Sequence, residues 1–284
     1  MSRVAVVTGA SAGIGAATAR RLAETGFVVY AVARRVAAMA PLAEAGIHVI
    51  GVDLTDDAAL VGLVERVIAE HGRVDVLVNN AGYGSFGAIE DVPMAEARRQ
   101  FEVNVVAAAR LCQLVLPHLR AQGHGRIINV TSVGAKMYQP LGGWYHATKY
   151  AIEGLTDCLR LELRPWGIDV VMIEPGGVAT GFMEVAAQAL LQTSGSGAYA
   201  AQARDYARTL MTEPRGLVSP PEVIARTIAR AATVRRPRPR YAVGRGAKAI
   251  VVARWLLPDR LYDRALTALF AFLAWVAARR RASS

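Results

Sequence analysis

Tyr145 and Lys149 stand four residues apart in Tyr145-His146-Ala147-Thr148-Lys149, inside a stretch (144–164) whose apolar spacing predicts a helix. That interval puts two side chains on one helical face. A phenol titrates near 10 and carries protons poorly at neutral pH. An ammonium held about 4 Å away at an effective dielectric of ~20 is worth roughly 4 kcal/mol, or about three pKa units. The pair is therefore a candidate proton-transfer device. Lysine usage sharpens the point. The chain has thirty arginines but only Lys136, Lys149 and Lys248, so a lysine at this spacing marks a requirement arginine would not meet. Ser132 ends a strand-like run thirteen residues upstream. Asn104 lies in a long helical stretch, an awkward place for Asn unless its amide has a partner.

A second group of residues could hold an anion. Thr8-Gly9-Ala10-Ser11-Ala12-Gly13-Ile14-Gly15 joins the first strand-like run to the first helix-like one. Gly9, Gly13 and Gly15 would let backbone N–H groups approach a pyrophosphate closely, at a helix start whose partial charge favours anions. Ser11 adds a hydroxyl. The same residues also satisfy the G-x-S-x-G pattern of a hydrolase nucleophile elbow. Such an elbow would need an acid and a histidine at later strand ends, whereas His118 and His124 flank a helix end and His146 lies inside one. Where an acid would grip a ribose 2′-hydroxyl, about twenty residues past the glycines, stand Ala33, Arg34 and Arg35. Guanidinium forks match a 2′-phosphate, so NADP is expected over NAD.

These residues need a scaffold that brings strand ends together. Continuous apolar strands are expected at Arg3–Thr8, Val28–Ala33, Ile47–Val52, Val74–Asn79, Arg126–Val130 and Asp169–Ile173, with helices over Ile14–Glu24 and near 36–45, 57–71, 94–121 and 144–164. Strands apolar along their whole length are covered on both faces. The alternation predicts an α/β fold: a doubly wound parallel sheet of Rossmann type with helices on both faces. Ligands on such sheets bind at the carboxyl ends of the strands, where Asp53-Leu54, Asn79-Asn80-Ala81-Gly82, Ser132 and Pro175-Gly176 fall.

In this order and at these places, the residues resemble the short-chain dehydrogenase/reductase family in its single-domain form. The match runs from residue 3 to about 234 through the Thr-Gly-x-x-x-Gly-x-Gly turn, Asp53-Leu54, Asn79–Gly82, Asn104, Ser132, Tyr145-x-x-x-Lys149 and Pro175-Gly176-x-x-x-Thr180. The resemblance implies hydride exchange between NADP and a carbonyl/alcohol pair. It implies that Tyr145 is the general acid or base, that Ser132 bonds the substrate oxygen, and that Lys149 lowers the tyrosine pKa and holds the nicotinamide ribose. Asn104 would fix a water leading from Lys149 to solvent. Asp53 and Leu54 would flank the adenine, Asn80, Ala81 and Gly82 the cofactor path, and Pro175, Gly176, Val178 and Thr180 the nicotinamide, with Ile14 beside the glycine turn. Residues 145–178 look like the steroid- and retinol-dehydrogenase-like branch.

Residues 177–217, rich in apolar side chains and hinged by Thr193–Gly197, read as a lid. With Met137, Tyr138, Leu141, Trp144, Phe182 and Met183 at the presumed mouth, a small lipophilic ketone or secondary alcohol is the expected substrate. The 284-residue chain is 53% hydrophobic, enough for one large catalytic domain, assigned to 1–234. Its excess charge of +10 falls wholly in 235–284, where eleven arginines and Lys248 face only Asp259 and Asp263. A neutral body argues against nucleic acid as partner. Within 235–284, a basic C-terminal helical extension, Ala247–Leu257 and Leu261–Ala278 read as helices broken at Pro258. The apolar run Ala265–Ala278 would span about 21 Å, short of a ~30 Å hydrocarbon core. Three placements stay open: packed on the body or a partner subunit, disordered, or in peripheral contact with a membrane through 247–281. A homo-oligomer, dimer or tetramer, is expected. Five histidines and two cysteines form no ligand-spaced cluster, so no metal is expected. The N-terminus lacks the form of a secretory signal, which with two helical cysteines points to the cytoplasm, at the inner face of a membrane if the tail binds one. The rival to an enzyme is a membrane-surface interaction protein with a non-catalytic nucleotide-binding body.

Overall fold

The computed structural model describes residues 2–211 and 218–282. Its strands are β1 (Arg3–Thr8), β2 (Phe27–Ala33), β3 (His48–Gly51), β4 (Val76–Asn79), β5 (Gly125–Val130), β6 (Ile168–Pro175) and β7 (Arg240–Val243). They form one parallel sheet in the order β3-β2-β1-β4-β5-β6-β7. The direction of strand addition reverses between β1 and β4, which makes a crevice at their carboxyl ends. Register keeps these ends level: Thr8 pairs with Val32, Val7 with Val78 and Asn79 with Asn129.

Both sheet faces are buried, and β1 shows how. Ala5 and Val7 join a core with α1 (Gly13–Glu24) and α9 (Pro221–Thr233), whereas Val4 and Val6 point to the opposite core with α3 (Asp57–His71) and α5 (Ala107–Gln122). Alternating side chains that are all apolar give the unbroken hydrophobic runs seen in the sequence. The long α6 (Gly143–Leu163) lies beside β6 and carries Tyr145 and Lys149.

Three stretches differ from the sequence expectation. The helix expected near 36–45 is a tight turn, Val36–Met39, followed by the short α2 (Ala40–Ala43). The helix expected over 94–121 is α4 (Met94–Phe101), a widened π-type turn (Glu102–Val106) and α5. Such bulges interrupt the regular i→i−4 ladder, and this one contains the buried Asn104. The expected loop lid is a helical hairpin, α7 (Phe182–Ser194) and α8 (Ala200–Met211), joined through Gly195–Gly197. Ala186, Ala187 and Leu190 pack against Ala203, Tyr206 and Ala207, with Phe86 and Leu141 beneath. Small residues at helical spacing made a compact pair where the glycines and serines had read as loop. The lid's last residues, 212–217, lie outside the described residues.

The C-terminal extension is joined to the body by β7, which pairs with β6 from Met172↔Arg240 to Pro175↔Val243. Arg240 donates to Glu153 and Glu174 at 2.8 Å each and pairs with Asp157. Lys136 also pairs with Glu153. Beyond lie α10 (Ala247–Leu256) and α11 (Asp259–Ala282), separated near Pro258 as expected. No helix among the described residues is long and apolar enough to cross a membrane.

Candidate active site

The strand ends, the glycine turn, α6 and the start of α7 enclose a cleft of about 660 Å³. Thr8 organises its floor. Its hydroxyl donates to the Val78 carbonyl at 3.3 Å and accepts from the N–H groups of Asn80 and Ala81 at 3.0 and 3.1 Å. The Asn80 amide returns to the Thr8 carbonyl at 2.9 Å. These bonds tie the end of β4 to the glycine turn. The sequence reading passed over Thr8; a polar residue closing an otherwise apolar strand was the signal that could have found it.

Gly9 and Gly13 adopt φ of +68° and +54°, a region open to glycine. A Cβ on Gly9 would also meet Ala81 Cα at 2.8 Å, and one on Gly13 would meet Thr180 Cγ2 at 2.9 Å. A Cβ on Gly15 would run into the Gly9 carbonyl oxygen and stand 2.6 Å from Asn80 Nδ2. The turn's own packing thus demands glycine, before any ligand approach. Gly15 sits behind the wall, while Gly9, Ser11, Gly13 and Ile14 line it. The first turn of α1 has neither a side-chain cap nor an acidic residue. Orphan N–H groups at such an end suit an anion.

Arg34 and Arg35 flank this turn on the cleft wall, and Arg35 Nη2 donates to Ser11 Oγ at 3.2 Å. With Ser11 facing an arginine and no histidine within its described hydrogen bonds, the hydrolase pattern has no triad to complete it. Asp53 and Leu54 stand nearby; Asp53 accepts from the Thr55 N–H at 3.0 Å and hydroxyl at 2.9 Å, which hold its carboxyl below the usual range. Gly82, Pro175, Gly176, Val178 and Thr180 line the opposite part.

Tyr145, Ser132 and Lys149 meet in the same cleft. Ser132 and Tyr145 line the same part of the wall, and the Ser132 hydroxyl accepts from the Gly134 N–H at 2.9 Å. Lys149 is buried, its Nζ 5.8 Å from the centre of the Tyr145 ring and donating to the Val130 carbonyl at 3.3 Å. Burial takes this amine down to about 8, against the pull of Glu153 one turn further along α6. Burial also pushes the Tyr145 phenol above its ordinary value, with the Ser132 hydroxyl acting in the opposite direction. The lowering of Tyr145 by Lys149 expected from spacing is not what this ring shows: burial sets its direction upward, and the amine is turned to a backbone carbonyl.

Asn104 does not reach the cleft. Its Oδ1 accepts from the Tyr83 N–H at 3.0 Å, and its Nδ2 donates to the Tyr83 carbonyl at 2.9 Å and to Thr148 Oγ1 at 3.0 Å. It joins the π turn, the strand-end segment and α6 directly behind Gly82, where a Cβ would meet Asn104 Oδ1 at 3.1 Å.

Of the six expected substrate contacts, Phe182 and Met183 line the cleft and four do not. Tyr138 donates to Asp263 Oδ1 at 2.8 Å and packs edge-on against Tyr262, so the C-terminal extension draws it away. Leu141, at φ +62°, is buried beneath the lid, and Trp144 packs on Phe101. Met137, next to Tyr138, lies outside the wall. The sequence reading missed Phe86, whose ring stacks on Tyr145 at 5.6 Å while Phe182 covers it at 5.5 Å. Gly84 and Val185 complete this apolar end. Among the described residues, no group of three or more His, Cys, Asp or Glu could hold a metal.

Residues 3–190 match a family model described as short chain dehydrogenase. The NADPH-dependent 3-dehydrocapnine reductase of Ornithobacterium rhinotracheale is 34% identical over 92% of this chain and 95% of its own. The 3-ketodihydrosphingosine reductase of Bacteroides thetaiotaomicron is 38% identical over 64% of this chain and 66% of its own. A short-chain dehydrogenase from Streptomyces avermitilis superposes with a TM-score of 0.78 at 30% identity, covering 100% of this chain and 99% of that one.

Proposed function

The chain belongs to the short-chain dehydrogenase family and is an oxidoreductase of carbonyl and alcohol groups; from that premise we propose that it reduces a lipophilic ketone with NADPH, or runs the reverse oxidation. The observation that carries the reading is the meeting of the Tyr145 phenol, the Ser132 hydroxyl and the buried Lys149 amine in one cleft whose other end is an uncapped helix start flanked by two arginines.

The cleft fits a dinucleotide. In this reading the N–H groups of the glycine turn and α1 hold the pyrophosphate, and Ser11, Arg34 and Arg35 hold a 2′-phosphate. Asp53 and Leu54 flank the adenine. Asn80, Ala81 and Gly82 line the middle, and Pro175, Gly176, Val178, Thr180 and Lys149 receive the nicotinamide and its ribose. When bound, the cofactor supplies or accepts the hydride at the substrate carbon. Tyr145 Oη gives its proton to the carbonyl oxygen in reduction and takes it back in oxidation. Ser132 donates to the same oxygen as charge develops on it. Lys149 as ammonium favours the tyrosinate left behind, and Asn104 positions α6 through Thr148. Phe86 and Phe182 exclude water from the phenol.

NADP preference is supported by the arginine pair and by the NADPH dependence of the Ornithobacterium relative. An apolar substrate is supported by Phe182, Met183, Val185 and the bare Gly84. We place the enzyme in the cytoplasm, as a homo-oligomer, with residues 247–281 against a membrane's inner face. The test is consumption of NADPH, and separately of NADH, by the purified chain with steroid, retinoid, long-chain and small aromatic ketones. The proposal expects turnover with NADPH and a preference for apolar ketones. Failure with every ketone while NADPH still binds would point to a nucleotide-binding interaction protein instead.

A further inference from the structure

Helix α11 is rich in apolar residues, and most of its described side chains are exposed. At 100° per residue, Tyr262 and Leu266 share one side, and these are its inward positions: Tyr262 is 6% exposed and Leu266 partly buried. Leu261, Ala265, Ala268, Leu269 and Phe272 gather on a neighbouring side, and all are exposed, Leu261 and Leu269 at 50% each. The exposed Arg260 and Arg264, one turn apart, border this stripe. In α10, Trp255 is 83% exposed. The whole net charge of the chain lies in residues 235–284.

We propose that the Leu261–Phe272 stripe of α11, with Arg260 and Arg264 along its border, seats on an anionic lipid surface. An apolar stripe edged by arginines combines the two attractions that hold an interfacial helix. A second copy of the chain fits less well. Pairing the stripe with itself would bring like-charged arginine borders together, and the only acids of the extension already have partners: Asp259 with Arg254 at 2.7 Å and Asp263 with Tyr138. The adjoining side of the helix holds Tyr138 through Tyr262 and Asp263, and the helix packs on lid helix α8. A seated α11 would thus bring the lid to the lipid. This deepens the placement of the enzyme beside a membrane and rests on that part of the proposed function, not on its carbonyl chemistry.

The experiment is co-sedimentation of the full chain with phosphatidylcholine vesicles, with and without phosphatidylglycerol, at low and high salt. Binding is expected only with the anionic vesicles and should weaken with salt. Arg260→Gln/Arg264→Gln should weaken it about thirtyfold at low salt, and Leu261→Glu/Leu269→Glu should abolish it. Equal binding to both vesicle types, or no binding, overturns the inference. So does self-association in analytical ultracentrifugation that the leucine variant removes, without vesicle binding. Turnover of a water-soluble ketone by the same samples separates the two readings. Turnover without vesicle binding sinks this inference alone, whereas binding without turnover sinks only the carbonyl chemistry.

Discussion

At the residue scale, desolvation sets the chemistry of the Tyr145–Lys149 pair. The amine, lowered to about 8 by burial, is an ammonium below that pH and neutral above it. In the proposed mechanism the charge supports loss of the phenolic proton, so kcat/KM for ketone reduction should fall as pH rises through about 8. The Glu153 carboxylate favours the charged form of Lys149. Glu153→Gln should therefore move the fall to lower pH, which a pH–rate profile reads directly. An unmoved profile would remove Glu153 from the account. At the other end of the cleft, Arg34→Ala/Arg35→Ala should weaken NADPH roughly ten- to a hundredfold, the worth of charge-assisted bonds to a phosphate, and leave NADH nearly unchanged. Fluorescence titration of both nucleotides checks it.

At the element scale, the glycine turn and the strand ends behave as one interlocked part. Gly15→Ala must displace the Gly9 carbonyl or Asn80, so it should cost nucleotide affinity and stability together. Gly62→Ala, in α3 where an added Cβ meets nothing within 4 Å, should instead stabilise by about 0.5–1 kcal/mol. Urea unfolding of the two variants checks the contrast. Elements governed by periodicity were legible in the sequence. The six strands of the body fall within one or two residues of where apolar runs end, because both sheet faces are buried. The residues proposed for catalysis and cofactor binding that meet in the cleft lie at or just past those ends or on one face of α6, which is why periodicity could point to them. What depended on distant contacts was not. Asn104 announced an unmet amide, but its partners, Tyr83 and Thr148, come from elements that only the fold brings near. Tyr138 looked like a mouth residue until Asp263, 125 positions later, captured its hydroxyl. The lid's helices were hidden by glycine and serine at their junction.

At the scale of the whole molecule, the extension and the catalytic body share a buried charge cluster. Glu153 and Glu174 have side chains only 5% and 4% exposed, and Arg240 of β7 bonds both. Burial raises Glu174 above the usual carboxylate range, with Glu153 adding to the push. Arg240→Gln would take the guanidinium away from two buried carboxylates and should destabilise the fold by about 3 kcal/mol. Adding Glu153→Gln should recover part of that loss, since it removes one unpaired charge. Chemical denaturation of the single and double variants measures both. The charge asymmetry set the C-terminal segment apart in the sequence; that its first strand completes the sheet needed long-range pairing no local pattern carries.

The role of Tyr145 is open to one direct measurement: NADPH consumption with an apolar ketone by wild-type protein and by Tyr145→Phe, with nucleotide affinity measured on the same samples. Removing a positioned proton donor should lower the rate by about 10²–10⁴-fold while NADPH binds as before. A phenylalanine variant that reduces the ketone at the wild-type rate would contradict the account.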